Sequence, residues 1–408
     1  MTKHIVKYLF KGIATAVLVA LCAIVATSIS PIYDFAKPEP FSGPDLFNPY
    51  RNIDTAHCWK RANFHTHTRI EGPTNECELW PEEVIASYEP YGYDIVTLSN
   101  HNTLTAHPSD PLLDAKAYEH GYNLLKYHKL VFGAKDGVML FDHLLPIFAS
   151  QRQWQIDLLT AKCDILQLNH PRRTPLTTQS MLERLSGYEI MELDSGKTTE
   201  NEYWDTALSA GHYSFGLAND DLHYPDRSSK IAVRCNFLCT PTANYLDVLH
   251  TLRDGCYYSM RVPDYGSGDW SVKQAKNRTL PRITDIGSKG DSIYISLSDR
   301  ARRIVIYGQH HTTLAEIGNS NSLSYTLPTD EPYARIVAEF EDGAYIYTNP
   351  FARYDSSTSD RPTNNSTHTI NWALTIVYNI VVLFIALLVI TLIVGVWRPK
   401  KRDYDREK

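Results

Sequence analysis

Two long apolar runs bracket the chain, and between them short apolar segments alternate first with helical periods and then with turns. The run from Gly12 to Ser30 follows Lys3, Lys7 and Lys11. It suits a signal anchor or a secretory signal with Ala26-Thr27-Ser28 as a cleavage candidate, and the residues leave both open. Near the other end, Ala373 to Val396 carries no charge, is bracketed by Trp372 and Trp397, and is followed by Arg398, Lys400, Lys401 and Arg402. About twenty apolar residues cross a bilayer as a helix, tryptophans favour its interface, and flanking basic residues stay in the cytoplasm. The pattern predicts a signal anchor or signal peptide over 1–30, a transmembrane helix over 372–397 and a basic cytoplasmic tail over 398–408. The body, from about Pro31 to Ile370, is then expected on the extracytoplasmic side, periplasmic or extracellular.

Residues 31–60 are rich in Pro, Asp and Asn and read as a linker. From Arg61 to about residue 265 strands and helices alternate. Trp80-Pro81-Glu82-Glu83 opens a helix that runs to Tyr88, with Pro and acids in its first turn. Asp94–Leu98, Asp164–Leu168, Tyr188–Leu193 and His212–Leu217 read as buried strands, and Tyr245–Arg253 as a helix. Such alternation predicts an α/β fold with a parallel sheet, and in a closed barrel of this kind the chemistry gathers at the C-terminal strand ends. Beyond Leu280 the strands come close together at Ser292–Leu297, Arg303–Tyr307, Ser322–Leu327, Ala334–Phe340 and Ala344–Thr348. That spacing predicts a small β-sandwich over 280–353, tethered to the final helix by a polar linker over 354–371.

With 408 residues, 43% of them hydrophobic, the chain can bury one large core and a smaller module. A net charge of −6 without a basic stripe argues against general nucleic-acid binding. The seven cysteines form no Cys-x-x-Cys pair. Cys58 and Cys77 flank a histidine pair, and Cys235, Cys239 and Cys256 lie close in sequence. Outside the cytoplasm one or two disulfides become possible, with a pairing the sequence does not fix. No Gly-rich nucleotide loop and no Ser or Cys nucleophile signature is present.

The histidine pair is His65-Thr66-His67. On an extended strand, residues two apart point the same way, so both imidazoles can reach one cation. Later strand ends deliver Asn100 and His101, then His170 before Pro171, then Asp220, Asp221 and His223. Imidazole and carboxylate together suit first-row divalent ions and leave positions for water. Arg172 and Arg173 are candidates to clamp a phosphate, with an exposed basic pair as the plain alternative. Glu192 and Asp194 share a strand face, either as supporting acids or as a solvated loop. His107, His120, His128, His212, His250, His310 and His311 fit no motif and read as ordinary surface or packed histidines.

The series His65-Thr66-His67-Thr68, Thr97-Leu98-Ser99-Asn100-His101-Asn102-Thr103, Leu168-Asn169-His170-Pro171 and Asn219-Asp220-Asp221-Leu222-His223 resembles the motifs of the PHP (polymerase and histidinol phosphatase) domain superfamily. The resemblance covers roughly Arg61 to Val262. It implies a distorted seven-stranded α/β barrel holding two or three divalent ions, manganese, zinc or iron, and hydrolysing phosphoesters. His65, His67, His101, His170, Asp221 and His223 would be metal ligands, with Asp221, His223 and Arg172 nearest the chemistry. His143 matches the family's middle histidine. Three positions depart from the pattern. Glu71 stands one residue early for the usual acid, and Asn100 replaces an aspartate. In place of the bridging glutamate, Gly133-Ala134-Lys135-Asp136 offers Lys135 in one register and Asp136 in the next, with Asp136 favoured. The implied substrate is a small-molecule or lipid-linked phosphoester. A barrel that has lost catalysis and serves binding, or a hydrolase of other esters or amides, are the alternatives.

Overall fold

The computed structural model describes residues 2–53, 59–73, 75–195, 199, 201–227, 229–263, 270–364 and 367–398. Its centre is a pair of sheets. Five strands, Tyr118–His120, Lys129–Phe132, Ile165–Leu168, Ile190–Asp194 and Phe215–Ala218, pair in chain order. The last three run parallel, as strand and helix alternation demands, whereas Lys129–Phe132 runs antiparallel to both of its neighbours. The second sheet holds Ile95–Val96 beside Trp59–Asn63, in parallel, followed by Arg234–Cys239 and Tyr257–Arg261 in antiparallel order. Helices Pro81–Tyr88, Ala149–Thr160, Asn201–Ser209 and Tyr245–Asp254 connect the strands. Trp80 caps the first of these, its backbone N–H bonding the Glu83 carboxylate at 2.8 Å.

The expected closed seven-stranded barrel is corrected: among the described residues no sheet closes. The strand expected over Asp94–Leu98 keeps only two ladder residues, because side-chain oxygens take over where a ladder would continue. Thr66 N–H donates to Ser99 Oγ at 3.0 Å and Thr68 N–H to Asn100 Oδ1 at 2.7 Å. Single bridges join the sheets instead, Thr66 to Leu222 and His101 to Glu119. The seam between the sheets therefore runs through the histidine motifs.

The later strands correct a second expectation. Ser292–Tyr307 is one unbroken strand where two were expected, because a register shift between Ser296 and Ala301 bends it without ending it. Its first half pairs with Ile283–Lys289 and its second with Tyr333–Glu339, while Thr313–Thr326 returns along it as a long hairpin arm. Tyr333–Glu339 pairs with Tyr345–Thr348, which pairs with Tyr257–Arg261. Among the described residues these strands extend the second sheet rather than forming a separate sandwich. One buried core, including Phe64, Phe132, Leu166, Ile190 and Leu217, underlies the five-stranded sheet. Another, including Ile293, Ile304, Ile336 and Ile346, fills the extension.

Thr2–Ala26 and Trp372–Trp397 are helices long and apolar enough to cross a membrane. They lie together: Trp397 Nε1 donates to Thr15 Oγ1 at 2.8 Å, and Asn379 exchanges two bonds with the Ser30 backbone, at 3.2 and 2.9 Å. Just outside them, Tyr33–Phe35 pairs with His368–Ile370. Cys239 is disulfide-bonded, whereas Cys22, Cys77, Cys163, Cys235 and Cys256 are free.

Candidate metal centre

Glu119 sits at the centre of the seam. It is the middle residue of a fully buried three-residue strand. Its Oε2 lies 3.1 Å from His65 Nε2, 3.3 Å from His67 Nε2 and 3.2 Å from His101 Nε2. Its Oε1 lies 3.1 Å from His128 Nδ1 and 3.3 Å from His170 Nε2, and accepts from Asn169 at 2.8 Å. Asp221 Oδ1 faces the same pair from the other side, 3.3 Å from His65 Nε2 and 3.4 Å from His67 Nε2. Beyond His67, Glu76 reaches in from a loop, with Oε2 3.1 Å from His101 Nε2 and 2.8 Å from His223 Nε2. Among the described residues, three overlapping donor sets result: His65, His67, Glu119 and Asp221; His67, Glu76, His101 and His223; and His101, Glu119 and His128.

Each donor is placed by local structure. His65 and His67 continue the Trp59–Asn63 strand with their rings on one side, 5.3 Å apart. His170 and Asp221 end the strands Ile165–Leu168 and Phe215–Ala218 in left-handed backbone conformations, φ 27° and 49°. Such strain persists where surrounding contacts fix it, as at functional sites. The chain reverses at Gly121 between Glu119 and His128. A side chain on Gly121, whose φ is +135°, would meet His128 Cδ2 at 2.7 Å. Behind this layer, Glu192 accepts from His65 Nδ1 at 2.9 Å and from the His170 N–H at 3.1 Å, and Arg173 Nη1 holds Asp221 Oδ2 at 2.5 Å.

The charges are strongly coupled. Burial works against protonation of His65, yet Glu119, Asp221 and Glu192 outweigh it and push its pKa well above the ordinary value. Burial likewise opposes charge on His101 and His223, and nearby carboxylates raise both. Burial and the neighbouring His223 lower His67. Burial pushes His128 down to about 4 against the pull of Glu119. Burial alone would raise the Glu119 and Asp221 carboxyls, but the histidines hold both well below the usual range.

His65 Nε2 and His67 Nε2 are buried and make no hydrogen bond, although carboxylate oxygens lie within 3.4 Å of each. A buried polar atom that faces acceptors outside hydrogen-bond geometry is costly unless something else engages it. Donors of imidazole and carboxylate type converging on one point suit a divalent cation, so the residues fit the metal that the motif series implies.

The structure brings together His65, His67, His101, His170, Asp221 and His223. It places three expected ligands elsewhere. Asp136 is exposed beyond the far end of Lys129–Phe132, because that strand runs antiparallel and turns its C-terminal end away from the cluster. For the same reason His128, which precedes the strand and had read as an ordinary histidine, lies in the cluster. His143 packs against Phe141 and Trp154, with Nδ1 against the Thr27 carbonyl, and is outside the three donor sets. Glu71 is exposed, and Glu76 approaches the histidines in its place. Arg173, rather than Arg172, contacts Asp221, while Arg172 reaches toward the Thr199 carbonyl at 3.5 Å. Asp194 binds Arg234 and Arg261, at 2.5 and 2.7 Å, and Asp220 accepts the N–H groups of Ala232, Val233 and Arg234. Glu119 had no motif. Nothing in the Asp114–Asn123 sequence sets this acid apart from a solvated one.

No family model and no curated protein matches the chain. Among solved structures it is similar to a two-domain protein from Bacteroides vulgatus containing a predicted PHP-like metal-dependent phosphoesterase. The identity is 13% and the TM-score 0.37, over 77% of this chain and 99% of that one. A likeness that slight carries no assignment, which rests on the cluster itself.

Proposed function

We propose that this chain is a membrane-anchored, extracytoplasmic metal-dependent hydrolase of the PHP type that cleaves phosphoester bonds. The observation that carries the reading is the convergence of five histidines on the two oxygens of one buried carboxylate, Glu119. His65, His67, Glu119 and Asp221 would hold one divalent ion, and His101, His128, His223 and Glu76 would complete positions for a second or third, with His170 at the Glu119 side. Bound ions of this kind lower the pKa of water and stabilise charge building on phosphoryl oxygens.

The chain's own groups prepare the site. Glu192 fixes which nitrogen of His65 faces the centre. Arg173 keeps the second oxygen of Asp221 occupied, leaving the first to the histidines. His223 and Glu76 stand at the more exposed edge, where a substrate enters. A cavity of about 200 Å³ lined by Arg173, Asp221, His223 and Lys230 opens at this edge, and its basic side chains suit an anionic substrate. The disulfide at Cys239 suits an oxidising compartment. Two apolar terminal helices, with basic residues at their outer ends, suit a body held against the far side of the membrane.

The test is a turnover screen on the purified full chain with added manganese or zinc. Phosphomonoesters or phosphodiesters should be hydrolysed and carboxylic esters should not. Turnover of carboxylic esters alone, or of nothing, overturns the phosphoester assignment.

A further inference from the structure

We infer that the face formed by the Gly121–His128 loop and the 138–151 segment rests on the lipid bilayer, so that the metal centre works at the membrane surface. The inference rests on the membrane-anchored reading of the terminal helices. Along the loop, burial alternates: Asn123, Leu125 and Tyr127 point inward, while Tyr122, Leu124 and Lys126 point out. The loop turns here, with the Lys126 N–H donating to the Asn123 carbonyl at 3.2 Å and Lys126 in a left-handed conformation, and the turn carries Leu124 outward. Next to them, Leu140, Phe141, Ile147 and Phe148 are also exposed. The exposure is large for such side chains, 65% for Leu124, 68% for Leu140 and 53% for Phe148. From Val138 to Gln151 the one ionisable acid, Asp142, is buried and held by the Tyr122 N–H and by Asn123 and Gln155. The outward surface of the segment thus carries no acid.

The two stretches form one patch. Tyr122 Oη donates to the Leu140 carbonyl at 2.6 Å, and the Leu124 N–H to the Leu144 carbonyl at 2.9 Å. The patch is continuous with the terminal helices: the Leu144 N–H donates to Thr27 Oγ1 at 3.2 Å, and Phe148 meets the Tyr378 ring edge-on at 6.3 Å. Below it, Asp157 ties both helix exits to the body, accepting from Tyr33 Oη at 2.7 Å and facing His368 Nε2 at 3.0 Å. An exposed apolar patch of this kind marks an interaction surface, and tyrosine and lysine at its rim suit the headgroup layer. Its place beside the helix exits selects the lipid as occupant. The link to chemistry is covalent, since Glu119 and His128 stand at the two feet of the loop whose tip carries Tyr122 and Leu124.

The test places the full chain in nanodiscs of brominated phosphatidylcholine and reads tryptophan quenching. Leu124→Trp and Phe148→Trp each add one reporter, and Leu246→Trp, on the exposed face of Tyr245–Asp254, is the control. Fluorescence added at positions 124 and 148 should be quenched several-fold more than that added at 246. Quenching no stronger than the control overturns the inference. The parent chain separates the two readings. Trp372 and Trp397 quenched there, without extra quenching at 124 and 148, leaves anchoring standing and removes the lipid-facing patch. No quenching in the parent removes anchoring and the patch together.

Discussion

Glu119 Oε2 lies 3.1 Å from His65 Nε2, both side chains essentially buried, yet the two make no hydrogen bond. The same oxygen faces His67 and His101 and its partner oxygen faces His128 and His170, so one carboxylate joins donors from both sheets. Replacing it with Glu119→Gln keeps the shape and removes the charge. Bound metal should fall by at least one ion per chain, and kcat/KM by roughly 100-fold or more, beyond what loss of an outer partner costs. Elemental analysis alongside turnover checks both.

Glu192 acts one layer out. Glu192→Gln retains a group able to bond His65 Nδ1 but weakens the basicity it lends the ring. Metal affinity is expected to drop about 10-fold, within the range for partners of this kind, and the melting temperature of the metal-free chain should fall too, because Gln offers one acceptor where Glu192 uses both oxygens, for His65 Nδ1 and the His170 N–H. A competitive chelator titration measures it.

The charge coupling predicts the pH response. In the metal-free chain His65, His101 and His223 have raised pKa values, so their stabilisation is full below the ordinary histidine value and fades as pH rises through the raised ones. Glu119 and Asp221 are depressed, so theirs is present above the ordinary carboxylate value and fades as pH falls through the lowered ones. His67 and His128 are depressed, so their neutral folded form costs stability as pH falls below the ordinary histidine value, and the metal-free chain should be most stable around pH 6.5. Ion binding needs neutral imidazoles and must expel protons. Calorimetry in buffers of different ionisation enthalpy should show proton release near neutral pH, and affinity that climbs with pH.

Away from the site, Asp205 binds the buried Arg335, accepting from Nε at 2.8 Å, and also contacts His311. Asp205→Ala strands a guanidinium that is fully buried. Such a loss costs about 3–5 kcal/mol, so the melting temperature should fall steeply. The pair lies outside the three donor sets, so at temperatures where the variant is folded its metal content should match the parent.

How far the sequence foretells this arrangement depends on strand direction. His65, His67, His101, His170, Asp221 and His223 were legible because each follows a parallel strand or its extension, where motif and topology agree. Glu119 and His128 were not, because the Tyr118–His120 and Lys129–Phe132 pair runs antiparallel. That reversal moves the residue before the second strand into the cluster and carries Asp136, after it, to the opposite rim. Glu76 lies in a loop whose path no period announces. The closed barrel failed for a related reason: Ser99 and Asn100 side chains mimic ladder bonds at the seam, and no hydrophobic pattern records that. The long hairpin of Ser292–Tyr307 and Thr313–Thr326 was not legible because a bulge keeps Ser292–Tyr307 continuous through the polar residues that signalled a turn.

Metal content of the purified full chain is the most direct measurement of all. After dialysis against manganese or zinc and removal of free ion, two or more ions should remain per chain, and His67→Ala, which sits in two of the three donor sets, should lose at least one. A folded parent chain that retains no divalent ion under these conditions contradicts the account.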